Sequence, residues 1–226
     1  MTFDETPADN DGATELHTQR TLRDGATGVS IAETPERLAT IKDAGCAAVI
    51  WRRQPAPGFE TWINACDPAV LPTGRLILRP DAVPDAVQNL CDIAGLETGP
   101  QRAWLEADIA DLARRFTAIM RAPYLRLRLD AITSNACRKF HIDAIMARLI
   151  CTYRGSGTQY GIAMDGAEPD RVFQVATGAP MILRGTRWPE SPRSGLLHRS
   201  PPIAGTGETR LVLVLDPIFD IEDADG

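Results

Sequence analysis

The chain has 226 residues, of which 44% are hydrophobic, and it carries a formal net charge of -6 at pH 7. This length and apolar content favour one globular domain, and the acidic balance argues against nucleic-acid binding, because neutralising phosphates requires a concentrated basic surface. No apolar stretch approaches the roughly 20 residues needed to span a bilayer, and the polar start is unlike a signal peptide, so we expect a cytoplasmic protein without membrane contact.

The first half of the sequence is predicted to be mostly helical. Residues 1–28 are polar and lack periodicity, which indicates a disordered arm. Capping residues and apolar spacing then predict a helix over 35–44, a buried strand over 46–51, and helices over 82–94 and 101–121. We therefore expect residues 29–121 to form a helical region that packs on the outside of the core.

The pattern changes to strands near residue 122. Leucines alternate with charged residues over 125–130, as in a half-buried strand. Short apolar runs then recur between clusters of Gly, Pro and Ser, at 147–153, 171–175, 180–183, 195–198 and 210–215. This series indicates a β-barrel or sandwich over residues 122–218, and the acidic tail over 219–226 is expected to be solvated.

Two of the three histidines fall in fragments that can form a metal site. His141 and Asp143 are two residues apart, so on an extended chain their side chains point to the same face. His198 could supply a third ligand. Two histidines and one carboxylate on one side of a metal, with other positions open, suit oxygen-activating non-haem Fe(II).

Arg210 follows His198 at the start of an apolar strand. Alternation puts it on the same face as Val212 and Val214, where a buried guanidinium requires a carboxylate or similar anion as its partner. An anionic ligand would provide one. The alternative is an arginine at a strand end that reaches solvent or pairs with Glu208.

The five cysteines argue against a disulfide framework, because their number is odd and none forms a Cys-x-x-Cys pair. Cys137 and Cys151 flank the His141 motif, so a zinc site with Cys, His and Asp ligands is an alternative to iron.

A resemblance to a known superfamily rests on an ordered series of fragments. The series is His141-Ile142-Asp143, the strand 149–153, the glycine turn 155–158, the strand 181–185, His198, and the strand 209–213. It resembles the Fe(II)- and 2-oxoglutarate-dependent dioxygenases over residues 122–218. The resemblance implies an α+β protein with a double-stranded β-helix, a jelly-roll or cupin-like barrel. It also implies His141, Asp143 and His198 as catalytic iron ligands and Arg210 as the residue that binds 2-oxoglutarate.

One position departs from that superfamily. Many members carry Ser or Thr two residues after the basic residue, whereas this chain has Val212. Tyr153 is the hydroxyl that we expect to compensate by binding 2-oxoglutarate, with Thr152 and Tyr160 as rivals.

The whole chain also resembles a bacterial family of unknown function, DUF1826. The segments 137–143 and 197–202 carry that resemblance.

Other polar residues near the ligands could contact the substrate or support the site. The candidates are Cys137, Arg138, Tyr160, Arg184 and Arg199. A wider set of arginines that includes Arg126 and Arg128 could form a mouth for an anionic substrate, although a solvated face is the favoured reading for most of them.

The sequence thus predicts an oxygenase of the hydroxylase type that acts on a small or peptidyl substrate, with Fe(II) and 2-oxoglutarate as cofactors. The competing hypotheses are a zinc- or other metal-binding protein of metal homeostasis, and a barrel that has lost its chemistry. No motif identifies the substrate or the oligomeric state.

Overall fold

The computed structural model describes residues 27–163, 167–190 and 192–222. The predicted disordered arm lies outside these residues except for its last two, and the second half of the predicted acidic tail also lies outside them. None of the described helices is long and apolar enough to cross a membrane.

The described part of the chain is a mixed α/β structure. Its strands are β1 (Gly28–Ala32), β2 (Cys46–Trp51), β3 (Gly74–Leu78), β4 (Tyr124–Ile132), β5 (Ala147–Arg154), β6 (Gln159–Ile162), β7 (Phe173–Gln174), β8 (Met181–Arg184), β9 (Leu196–Arg199) and β10 (Arg210–Ile218). Its α-helices are α1 (Phe59–Ala65), α2 (Val83–Ala94) and α3 (Pro100–Met120), and 3-10 helices cover Pro35–Lys42, Pro68–Val70 and Pro80–Ala82.

The strands form two sheets. The large sheet has seven strands in the order β1-β2-β8-β5-β10-β4-β3, and the small sheet has three in the order β7-β6-β9. Within the large sheet β1 and β2 run parallel, and the other neighbouring pairs run antiparallel. Since β10 lies between β4 and β5, strands that are far apart in sequence bring their side chains together at the centre.

Alternation along the central strands divides the core into two layers. Leu211, Leu213 and Leu215 of β10 pack with helix residues such as Phe116 in the larger hydrophobic cluster. Val212 and Val214, one residue out of phase, belong to a second cluster that contains Leu196 of the small sheet. Successive strand residues point to opposite faces, so one face of the large sheet is covered by helices and the other faces the small sheet.

Several predicted elements are confirmed. The helices predicted over 82–94 and 101–121 are α2 and α3, and the strand predicted over 46–51 is β2. Gly95 ends α2 in the left-handed conformation, with φ of 74°, which is the stop signal that its sequence indicated. The helix predicted over 35–44 is instead a 3-10 helix, Pro35–Lys42.

The region before residue 122 contains strands of the large sheet as well as helices. The sequence prediction missed β1 and β3, which form the two edges of the large sheet, and it also missed α1 and β6. Both edge strands have only five residues. Strands this short carry too few alternating positions to stand out from loops.

Candidate metal centre

Backbone pairing brings the two halves of the proposed metal site together. His141 lies in the connection between β4 and β5, and it forms an isolated antiparallel bridge with His198 of β9. The amide of each residue donates to the carbonyl of the other, at 3.1 Å and 3.0 Å. Two residues 57 positions apart in the chain therefore become neighbours, and Asp143 follows two residues later on the same connection.

The side chains of these three residues converge. Nε2 of His198 lies 3.1 Å from Oδ2 of Asp143, and Nε2 of His141 lies 3.5 Å from Oδ1 of the same carboxylate. One ligand atom from each residue lies within 4.8 Å of the others. Among the residues that the structure describes, this is the group of histidine, cysteine and carboxylate side chains that could hold a metal ion.

The imidazole nitrogens and carboxylate oxygens of these residues are suitable ligand atoms for a divalent metal. Nδ1 of His141 lies 2.9 Å from the carbonyl oxygen of Lys139. If Nδ1 carries the proton and donates it there, Nε2 presents a lone pair, as metal-binding histidines commonly do. Oδ2 of Asp143 is buried and forms no aligned hydrogen bond with any described residue, although Nε2 of His198 lies 3.1 Å away. A metal ion bound by both atoms would satisfy this buried oxygen.

At two of the three residues, Asp143 and His198, electrostatics favour the protonation state that metal binding requires. Burial alone would raise the pKa of Asp143, but His141, His198 and Arg148 beside it hold that pKa well below its usual range. Burial lowers the pKa of His198, whereas the neighbouring Asp143 raises the pKa of His141. Asp143 is therefore ionised and His198 neutral near pH 7, as metal ligands must be.

An arginine that the sequence prediction missed supports the carboxylate ligand. Nη1 of Arg148, on β5, lies 2.7 Å from Oδ1 of Asp143. The same guanidinium donates from Nε and Nη2 to Asp216 of β10, at 2.7 Å and 2.8 Å. Asp216 thus fixes Arg148, and Arg148 fixes the orientation of Asp143. These contacts between Asp216, Arg148 and Asp143 depend on the register of β5 against β10. No local sequence pattern therefore indicated them.

A cavity of about 110 Å³ opens beside His141 and His198, and Arg210 lines it. Arg210 is only 1% exposed. Its Nε donates to the carbonyl of Ser156 at 2.6 Å, and its Nη2 donates to Oγ1 of Thr152 at 3.3 Å. No described carboxylate forms an ion pair with it, because Glu208 instead accepts hydrogen bonds from the amide and hydroxyl of Ser156.

Burial lowers the pKa of Arg210 to about 10, so the guanidinium remains charged at neutral pH. The structure therefore contradicts both alternatives considered for this residue, which neither reaches solvent nor pairs with Glu208. Arg210 is thus a buried cation that forms no ion pair with a described carboxylate and shares a cavity with the two histidines, and an anion bound there would offset the cost of its burial.

Two residues expected at the site lie on the opposite face of the large sheet. The hydroxyl of Tyr153 donates to Oδ2 of Asp108 at 2.6 Å, among the helices. Arg184 donates to the backbone carbonyls of Ile41 and Asp43. Neither residue lines the cavity. The expectations that Tyr153 binds 2-oxoglutarate and that Arg184 contacts the substrate are corrected, because alternation on β5 and β8 points these side chains away.

Thr152, the rival of Tyr153, is on the cavity side, since its hydroxyl accepts the hydrogen bond from Arg210. Tyr160 lies directly opposite His198 in the pairing of β6 and β9, and its ring stacks on Phe173 with the ring centres 5.5 Å apart. Tyr160 therefore packs beside the site without lining the cavity.

The remaining candidates border the site or lie outside it. Cys137 and Arg199 line the cavity. The guanidinium of Arg199, however, donates to Gln159 and lies over the ring of Phe140, as expected for a residue that alternates with His198. Arg138 is exposed.

Of the two proposed zinc-binding cysteines, Cys137 lines the cavity with His141, whereas Cys151 lies away from it. Cys151 is buried on the helix side of β5, beside Arg53. Burial raises the pKa of its thiol to about 12. The described group of potential ligands contains no cysteine.

One family model matches most of the chain. The model of the family described as "Protein of unknown function (DUF1826)" matches residues 32–216. No curated protein sequence matches the chain.

Several solved structures are similar. Dioxygenase for auxin oxidation 1 from Arabidopsis thaliana, solved with 2-oxoglutarate, has 12% identity and a TM-score of 0.50, covering 87% of this chain and 94% of that one. The rice dioxygenase for auxin oxidation has 15% identity and a TM-score of 0.46, covering 87% and 84%. A Pseudomonas putida prolyl-4-hydroxylase has 12% identity and a TM-score of 0.45, covering 83% and 100%. At 12% identity, the first of these similarities shows a fold like that of a dioxygenase that binds 2-oxoglutarate.

Proposed function

The chain belongs to the DUF1826 family, and we propose that it is a non-haem Fe(II)- and 2-oxoglutarate-dependent oxygenase that hydroxylates a small or peptidyl substrate. The observation that carries this proposal is the buried Arg210, which has no described carboxylate partner and shares a cavity with His141 and His198. A metal site alone would not require a buried cation beside it. An anionic ligand held between metal and arginine accounts for both.

His141, Asp143 and His198 would hold the metal and leave its other positions open, which is the arrangement that suits Fe(II). When bound, Fe(II) couples the oxidative decarboxylation of 2-oxoglutarate to the oxidation of a second substrate by dioxygen. The role of the protein is to orient the reactants. Arg148 holds the carboxylate ligand, and the surrounding apolar residues Ile150, Val212 and Val214 limit access of water.

Arg210 would bind the distal carboxylate of 2-oxoglutarate. Its guanidinium can form two parallel hydrogen bonds with a carboxylate. Thr152 holds the Nη2 atom of this guanidinium in position. Thr152 supplies a hydroxyl at the place where Val212 lacks one. In this proposal it takes the part first expected of Tyr153.

We further propose that the two sheets form a double-stranded β-helix. The pairing of His141 with His198 adds a fourth segment next to β9 of the small sheet. Strands β4, β10, β5 and β8 of the large sheet would form the opposite wall of the cavity. The proposed site residues all fall within residues 122–218, which supports that range as the core carrying the chemistry.

An anaerobic titration tests the proposal. Metal-free protein is titrated with Fe(II) and then with 2-oxoglutarate, and a visible charge-transfer band is expected because the keto acid chelates the iron. Bound iron without the band would refute the use of 2-oxoglutarate. Preferential binding of zinc, without affinity for 2-oxoglutarate, would instead support a metal-binding protein of metal homeostasis.

A further inference from the structure

A second arginine in the cavity has no carboxylate partner among the described residues. Arg128 of β4 lines the cavity together with His141 and Arg210. Its Nε is buried and forms no hydrogen bond, and no ion pair joins it to any residue that the structure describes. Buried polar atoms in proteins nearly always have a partner, so this guanidinium calls for an explanation that the proposed function has not supplied.

The position of Arg128 follows from the register of the sheet. It lies opposite Val214 of β10, and Val214 lies opposite Ile150 of β5. Val214 and Ile150 both line the cavity. The three residues form one row across the sheet, so Arg128 is about two strand spacings, roughly 10 Å, from the backbone of β5. It thus faces the cavity from β4, the strand next to the one that carries Arg210, and it pairs with β10 four residues along from Arg210.

The neighbouring charges do not neutralise Arg128. Asp130 and Asp216 are on the same face, but neither is within ion-pair distance of it, and Asp216 is already engaged by Arg148. Burial and the like charges of Arg148 and Arg75 lower the pKa of Arg128, while the two carboxylates only partly offset this effect. Arg128 is therefore a partly desolvated cation that an oxyanion would stabilise.

A structural role for Arg128 is poorly supported. Arg148, Arg184 and Arg210 each donate to a described backbone carbonyl or side chain, whereas Arg128 donates to none. Arg210 is assigned to 2-oxoglutarate, and Arg148 to Asp143. Arg128 is the cavity guanidinium left for a further ligand.

We propose that the oxidised substrate is a small organic anion and that Arg128 binds its carboxylate or phosphate group. This inference rests on the proposed function, because it assumes that Arg210 and the metal are occupied by 2-oxoglutarate. Arg128 would then determine specificity by orienting the anionic end of the substrate while the remainder extends towards His141 and His198.

The test measures the binding of inorganic phosphate and acetate to the full chain by nuclear magnetic resonance. The protein is loaded with Mn(II) and saturated with 2-oxoglutarate, so that Arg210 is occupied. Saturable broadening of the phosphorus signal of phosphate, or the carbon signal of labelled acetate, reports an anion held near the metal. Tighter binding of phosphate would indicate a phosphorylated substrate, and tighter binding of acetate a carboxylic acid.

We expect Arg128→Gln to weaken anion binding at least about tenfold, since it removes charge-assisted hydrogen bonds. Arg128→Lys keeps the charge without the fork and should have an intermediate effect. The matched control is Arg75→Gln, because Arg75 pairs with Arg128 across β3 and β4 but is exposed and does not line the cavity. Equal weakening in the two Gln variants, or none in Arg128→Gln, would overturn the inference.

A second measurement separates this inference from the proposed function. Metal-free protein is treated with phenylglyoxal, which modifies arginines, and mass spectrometry reports the extent of modification at each residue. Phosphate should protect Arg128 at least severalfold more than Arg75. Protection without a 2-oxoglutarate band would refute the proposed function alone, whereas a band without protection or Arg128-dependent anion binding would refute the anion site alone.

Discussion

Replacing Arg210 by methionine should remove 2-oxoglutarate binding while leaving metal binding intact. Methionine has a similar length and no charge, and it would fill the space of a side chain that is 1% exposed. The pKa of Arg210, lowered to about 10, corresponds to roughly 3 kcal/mol of unfavourable burial of the charged form. A bound carboxylate offsets that cost, so we expect the change to weaken 2-oxoglutarate binding by about 2–4 kcal/mol, or about 30- to 1000-fold.

Thermal unfolding measures this loss without requiring a substrate. With iron bound, 2-oxoglutarate at about 100 times its dissociation constant should stabilise the natural chain by about 2.7 kcal/mol, which raises Tm by roughly 5–10 °C for a protein of this size. At the same concentration, a variant with about 100-fold weaker binding gains only about 0.4 kcal/mol. Its Tm should rise by roughly 1 °C.

The control for this experiment is Arg154→Met. Arg154 is half-buried at the end of β5, and it donates to the carbonyl of Cys66 rather than facing the cavity. The rise in Tm with 2-oxoglutarate should survive in this control and disappear in Arg210→Met. An equal rise in all three proteins would refute the assignment of Arg210.

Three further predictions concern the metal ligands and the opposite face of the sheet. His198→Ala should abolish iron-dependent turnover and lower iron affinity, measured by metal titration, and retained turnover would remove His198 from the ligand set. Arg148→Met should weaken metal binding about 10- to 100-fold, because Asp143 loses the group that orients it; unchanged affinity in the same titration would show that Arg148 has no such role. Tyr153→Phe should lower the free energy of unfolding in urea by about 1–2 kcal/mol, because its hydroxyl donates to Asp108, with no change in 2-oxoglutarate affinity. A loss of that affinity would return Tyr153 to the site.

Local patterns in the sequence were enough to predict whether the longer elements are helices or strands. The apolar spacing of α2 and α3 and the alternation in β4 and β10 each repeat over many residues, so their type could be predicted from periodicity. Edge strands β1 and β3 are too short for that signal. They become strands because they pair with β2 and β4, which is a tertiary contact.

The sequence also identified the residues with metal-ligand chemistry, because His141 and Asp143 are spaced for one face and His198 is the other histidine outside the amino-terminal arm. The phase of its strand placed Arg210 on the valine face, but only the structure decided between a buried side chain and one that reaches solvent. Residue type and local spacing are contained in the sequence, whereas burial is not.

Only the tertiary structure decided which other side chains face the ligands. A shift of one residue along β5 separates Thr152, which contacts Arg210, from Tyr153, which contacts Asp108. Likewise, Arg148 meets Asp143 and Asp216 through strand register, not through spacing along the chain. The sequence alone determined which residue types could bind a metal, and because side chains on a strand alternate between faces, the pairing of distant strands determined what surrounds them.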